Sequence, residues 1–152
     1  MNVFILIFSL LILVITHSYN PKDAIKYAKK YYKDYNPNYD KYVDNIVERN
    51  NFISQCLFAG GFSFSGCRGK DRYGMVPSYN DIVDCLDKKN WKYSKDKNPN
   101  FKLGNLIAKF DSRELYIPID IKDNKIIYCT HATNSCSEEI NISDVVFYYL
   151  EE

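Results

Sequence analysis

The stretch Glu48-Arg49-Asn50-Asn51-Phe52-Ile53-Ser54-Gln55-Cys56-Leu57-Phe58-Ala59-Gly60-Gly61 decides how the rest of the chain is read. Its apolar residues fall at Phe52, Ile53, Cys56, Leu57 and Phe58, the i, i+1, i+4, i+5 spacing of a buried helix. Asn50 or Asn51 is placed to cap the start, because a side-chain oxygen there accepts from the unpaired N–H groups of a first turn. Gly60-Gly61 ends the helix, since glycine takes the left-handed conformation that closes a last turn. The spacing therefore predicts a core helix against which other elements pack.

Upstream, Asn20-Pro21 predicts a second helix, with Asn as cap and Pro in the first turn, where its missing N–H costs nothing. Ala24, Ile25, Ala28, Tyr31, Tyr32 and Tyr35 form its apolar stripe, and Asn36-Pro37-Asn38 stops it. Before it, residues 2–15 are apolar, and Thr16-His17-Ser18 offers small residues at a cleavage site. Residues 1–18 are expected to be a secretory signal peptide, leaving one domain over 19–152. An uncleaved membrane anchor is the other reading of that run. No later segment is apolar enough to span a bilayer, so no membrane contact is expected after cleavage.

Downstream, residues 62–77 read as loop, with Gly66, Gly69, Gly74 and Pro77. Ser78 caps a short helix that offers Ile82, Val83, Cys85 and Leu86 for burial. Lys88 to Asn100 is polar around Trp91 and Tyr93 and reads as an exposed connection. Strands are expected at 106–110, 115–121, 125–130, 140–142 and 145–149. Pro118 marks an edge strand or a bulge, and Asp123-Asn124 makes a tight turn. Helices first and an antiparallel sheet after them predict an α+β fold, amino-terminal helices packed on a carboxy-terminal sheet.

The words of the central stretch carry more than its periodicity. Asn51-Phe52, Ser54-Gln55-Cys56-Leu57 and Ala59-Gly60-Gly61 resemble the signature of the putative amidase domain family, a branch of the papain-like cysteine hydrolases that includes the NlpC and CHAP cell-wall enzymes. Tyr27-Ala28, Tyr31-Tyr32 and Tyr35-Asn36-Pro37-Asn38-Tyr39 resemble that family's opening helix, and Gly104-Asn105 the turn into its first strand. The resemblance implies a papain-like, NlpC/CHAP-type domain whose relatives cleave peptide amide bonds, often in cell walls. It also implies a nucleophilic cysteine at the amino end of the central helix. That position holds Arg49. Counting back from the Asp123-Asn124 turn puts the family's histidine at Tyr116, with Leu115 one residue away, and its third polar residue at or near Tyr128. The string Thr130-His131-Ala132-Thr133-Asn134 resembles a different segment of the branch, which sets His131 outside the proton-transfer position. Both reacting groups are then replaced, and the reading is an inactive descendant that binds peptide or cell-wall-type ligands in the former cleft. Arg49, Asn50, Gln55, Tyr116 and His131 are the expected ligand-binding residues.

Two rivals stand beside it. One is a working amidase or peptidase that pairs His131 with Cys56 or another cysteine. Against it, Cys56 lies two turns beyond Arg49, about 10.5 Å along a helix axis, among apolar neighbours that raise a thiol pKa. The other is a disulfide-stapled secreted interaction module. Arg49 itself reads either as a solvated surface charge or as the floor of an anion pocket for carboxylate or phosphate.

Composition bounds the rest. The formal net charge of +1 gives no electrostatic reason to expect nucleic acid. His17 would leave with the signal peptide, so His131 alone would remain, and no ligand cluster has zinc-like spacing. No metal or cofactor is expected. Of five cysteines, Cys56 is the candidate free thiol. Cys67 with Cys85 and Cys129 with Cys136 are candidate bridges, the connectivity being open at this level. Asn141-Ile142-Ser143 is an N-glycosylation sequon if the source is eukaryotic.

Overall fold

Asn20 and Pro21 start the first helix as their chemistry requires. The computed structural model describes residues 18–151, so all of the expected leader except Ser18 lies outside the described residues. The Asn20 side chain accepts from the Lys22 N–H at 3.0 Å, and Pro21 opens α1 (Pro21–Tyr31). The helix stops at Tyr31, so Tyr35 of the expected stripe lies beyond it. Ala24 and Ala28 are buried with no accessible surface, and their small side chains let α1 lie close to its neighbour.

The central helix, α2 (Asn45–Ala59), begins earlier than the apolar spacing predicts. Its cap is Asp44, whose Oδ1 accepts from the N–H groups of Ile46 and Val47, each at 2.9 Å. Asn50 and Asn51 are interior residues of the helix, not its cap. Their amides are used elsewhere: Asn50 donates to the carbonyls of Ile46 and Arg113, and Asn51 to that of Asp40. The start is hidden because the first turns bury polar side chains, Glu48 among them. At the other end Gly61 has φ +88°, the left-handed turn that the glycine pair was expected to supply.

Ser78 stands at the N-cap of α3 (Tyr79–Lys88) without a side-chain capping bond. Ile82, Cys85 and Leu86 fill its buried face. Six strands follow: β1 (Lys92–Ser94), β2 (Leu106–Lys109), β3 (Leu115–Lys122), β4 (Lys125–Thr130), β5 (Ser135–Asn141) and β6 (Val145–Tyr149). They form one antiparallel sheet in the order β1-β6-β2-β3-β4-β5. The fold is α+β, helices before sheet.

Two expectations for the strands change. The segment read as an exposed connection holds β1, where Tyr93 pairs with Tyr148 and Trp91 is buried. The strand expected at 140–142 is the end of a longer β5, and Ile142–Asp144 is a 3-10 turn into β6. Pro118 sits inside the sheet at a bulge between Pro118 and Asp120, which accommodates its missing N–H. Asp123 and Asn124 both have positive φ, as a two-residue hairpin turn demands.

Alternation along the strands divides the core. Leu106, Ala108, Leu115, Ile117 and Cys129 join the cluster of Phe52, Ile53 and Leu57 from α2. Ile107, Tyr116, Ile126 and Phe147 form a second cluster with Phe101. The Cys67–Cys85 bridge ties the glycine-rich loop to α3, and Cys129–Cys136 joins β4 to β5. Cys56 is free and buried. Asp44→Ala removes two capping bonds from the central helix. It should cost about 1 kcal/mol and lower Tm by about 3–5 °C; an unchanged denaturation midpoint would show that the cap contributes nothing.

Candidate functional site

Arg49 is the fifth residue of α2, past the first turn, so its place is not the helix amino terminus that the sequence pattern suggested. Its guanidinium Nη1 donates to Glu114 Oε1, in an ion pair whose side chains are 27% and 17% exposed. The Tyr116 hydroxyl donates to Glu114 Oε2. The Tyr128 ring meets the Tyr116 ring at 4.4 Å between centroids, with planes tilted by 49°. The three positions singled out from the sequence, Arg49, Tyr116 and Tyr128, are thus brought together, and Glu114 joins them. Burial first, then the hydrogen bond to Glu114, pushes the Tyr116 phenol well above its ordinary pKa. Burial, then Glu138, also raises the Tyr128 phenol. Arg49 Nε is buried without a partner.

This arrangement changes the anion-pocket reading. A carboxylate already occupies Arg49, and it comes from the chain itself. What reaches solvent is a compensated pair that offers both a donor and an acceptor.

Asn50 and Gln55, also expected to contact ligand, are buried and satisfied internally. Asn50 Oδ1 accepts from the Leu115 N–H, and its amide group bonds two carbonyls, so it fixes α2 against the start of β3. Gln55 Oε1 accepts from the Tyr27 hydroxyl at 2.7 Å, and that hydroxyl accepts from Asn36. Leu115, the alternative to Tyr116 for the histidine position, packs in the cluster that contains α2, while Tyr116 lies in the other. The side chain nearer the central helix is therefore leucine, and neither candidate is an imidazole.

His131 lies just beyond β4, with its side chain 2% exposed. Nε2 is 2.8 Å from the Tyr31 carbonyl, so that nitrogen carries a proton. Nδ1 is 2.8 Å from Glu48 Oε1, with a second proton between them. Glu48 Oε2 accepts from the Tyr42 N–H at 2.7 Å. The imidazole stacks on Phe52 at 3.9 Å and meets Tyr35 at 4.3 Å. Both ring nitrogens are engaged in holding the fold. Cys56 has no accessible surface, and burial raises its thiol well above the ordinary pKa.

The family described as a putative amidase domain matches residues 18–151. The chain belongs to the putative amidase domain family. No curated protein and no solved structure matches. The match spans all three helices and all six strands, so the amidase-family unit includes the Arg49 cluster and the buried His131 alike.

Glu114 and Glu48 are the two residues that the sequence reading left without a role. Glu114 lies one residue before β3, and its partner Arg49 is 65 residues earlier, so no local pattern marks it. Glu48 gave no sign either, because a carboxylate beside an arginine at a helix start usually faces water.

Two measurements test the site chemistry. Native protein kept unreduced should take up no iodoacetamide at pH 8, and after unfolding in guanidinium it should take up one per chain, at Cys56; rapid native labelling would mean an accessible thiol. The raised phenols of Tyr116 and Tyr128 give a pH signature. Their folded pKa lies above the unfolded value of about 10. Their contribution is therefore complete below about pH 10 and is lost as pH climbs past it. Urea midpoints should fall between about pH 10 and 12, and Tyr116→Phe should flatten that fall.

Proposed function

We propose that this chain is a secreted amidase-family domain of papain-like fold that binds peptide or cell-wall-type ligands without hydrolysing them. One observation carries the reading. The position that takes the nucleophilic cysteine in the resembling family holds Arg49, which is paired with Glu114, and the Tyr116 hydroxyl shares that carboxylate. A thiol hydrolase needs a thiolate beside an imidazole that takes and returns its proton. Here the thiol is sealed in the core, and the imidazole of His131 spends both nitrogens on Glu48 and Tyr31. The working-enzyme alternative through Cys56 and His131 draws no support from this geometry.

The papain-like assignment is supported by the chain order, a buried helix laid against the sheet that follows it, and by contact between α2 and the start of β3 through Asn50 and Leu115. Secretion is supported by the apolar leader and by two cysteine bridges, which persist in oxidising compartments. Ligand binding is supported by the partly exposed Arg49–Glu114 pair beside two tyrosine rings. A guanidinium that donates and a carboxylate that accepts match the C=O and N–H of a peptide amide.

The experiment uses the secreted protein and soluble peptidoglycan fragments. Calorimetry should detect binding, and chromatography should show no released amine over hours. Arg49→Ala should weaken binding about tenfold, the scale of one hydrogen bond to a charged group. Hydrolysis that disappears in Cys56→Ala or His131→Ala would overturn the non-catalytic reading. Equal affinity in wild type and Arg49→Ala would remove the ligand from this site.

A further inference from the structure

We infer that Asn141 carries an N-linked glycan that covers the open edge of β5. The inference rests on the secretion reading and adds a modification site to it.

Asn141-Ile142-Ser143 has the acceptor pattern. The structure places it where a glycan has room and a purpose. Asn141 is the last residue of β5, it is exposed, and Ser143 beside it is exposed as well. β5 ends the strand order, and its ladder is made with β4 alone among the described strands. Its other edge has no strand beside it among the described residues, and such an edge invites a strand from another molecule. Two features already blunt this edge, Glu138 and Glu139. A glycan at its end would screen the rest.

The site also stays clear of the Arg49 cluster. Glu138 pairs with Tyr128, and Asn141 is three residues further along, about 10 Å. An odd spacing puts its side chain on the opposite face. A polar hollow of about 350 Å³ lies at the attachment point, lined by Lys109, Lys125, Glu139, Asn141 and Asp144. It offers charged partners to the hydroxyls of the first sugar. The Asn141 amide donates to Asp144 Oδ2 at 3.1 Å, and an N-glycosylated amide keeps one N–H for that bond.

The transfer needs a polyprenol-pyrophosphate-linked oligosaccharide and a luminal transferase. The Asn141 amide nitrogen forms a bond to C1 of the first sugar, the C1–O bond to pyrophosphate breaks, the polyprenol pyrophosphate leaves, and the amide proton passes to a base of the transferase.

The test is translation of the full chain with microsomes from a eukaryotic secretory system. Protease protection reports import, and a glycosidase-sensitive mass shift reports the glycan. The expected result is a protected chain with one glycan. The glycan is lost in Asn141→Gln and in Ser143→Ala and kept in Ser143→Thr. A protected chain without the shift would overturn the glycan while leaving secretion standing. An unprotected chain would overturn secretion and the glycan together. Secreted protein treated with glycosidase should self-associate in light scattering at concentrations where the glycosylated form is monomeric; equal scattering would overturn the shielding role.

Discussion

The Glu48–His131 pair holds the molecule together at the point where its separate parts meet. Glu48 belongs to α2, and His131 to the turn after β4. The carboxylate also receives the Tyr42 N–H from the segment before α2, and the imidazole also reaches the last carbonyl of α1. One acid and one ring thus join the turn after β4 to α1, to α2 and to the segment between them. Removing a carboxylate and an imidazole from water is costly, and only full hydrogen bonding offsets it. Here both carboxylate oxygens and both ring nitrogens have partners, and Phe52 and Tyr35 cover the ring. The Cys129–Cys136 bridge spans the loop that contains His131 and limits how far the ring can withdraw.

The Arg49 cluster follows that rule in part, at lower burial: Arg49 Nη1 and the Tyr116 hydroxyl both donate to Glu114, while Arg49 Nε is buried without a partner. The Arg49 and Glu114 charges balance, and the Tyr116 and Tyr128 rings meet at a tilt beside them. A catalytic pair in the same place would have to keep a thiolate and an imidazole partly unsatisfied, ready for substrate. Groups that satisfy one another contribute to the fold. Groups kept poised contribute to chemistry. Arg49 and Tyr116 both donate to Glu114 within the fold.

Which parts of this were readable in the sequence follows from what the sequence can signal. The cap of α1, the end of α2 and the hairpin turn at Asp123-Asn124 each depend on neighbours a few residues away, and local patterns report them; the cysteine pairing stays open in the sequence, because Cys67 and Cys85 stand 18 residues apart. The start of α2 was misplaced because Glu48, Asn50 and Asn51 are polar residues turned inward, and periodicity counts such residues as exposed. β1 was missed because Lys92–Ser94 is short and polar, and becomes a strand only through its pairing with β6. Glu114 could not be assigned because its partner, Arg49, lies 65 residues earlier. The alternation that placed Leu115 rather than Tyr116 toward α2 became readable once the register of β2 and β3 was known.

The strand order has a bearing on how the molecule comes into being. β6 is the last of the described strands in chain order, yet it lies between β1 and β2. During synthesis the first three helices and the β3–β4–β5 meander emerge before the strand that joins β1 to the rest. Until then β1 has no neighbour and the inner edge of β2 is bare. Pairings of such long sequence separation form late and slowly. Through that interval the edge of β2 that will pair with β6 stands open to whatever else is in the vicinity. A chain that crosses a membrane as it grows would meet that interval with its cysteines already in an oxidising space, where the local Cys67–Cys85 and Cys129–Cys136 pairs can close without waiting for β6.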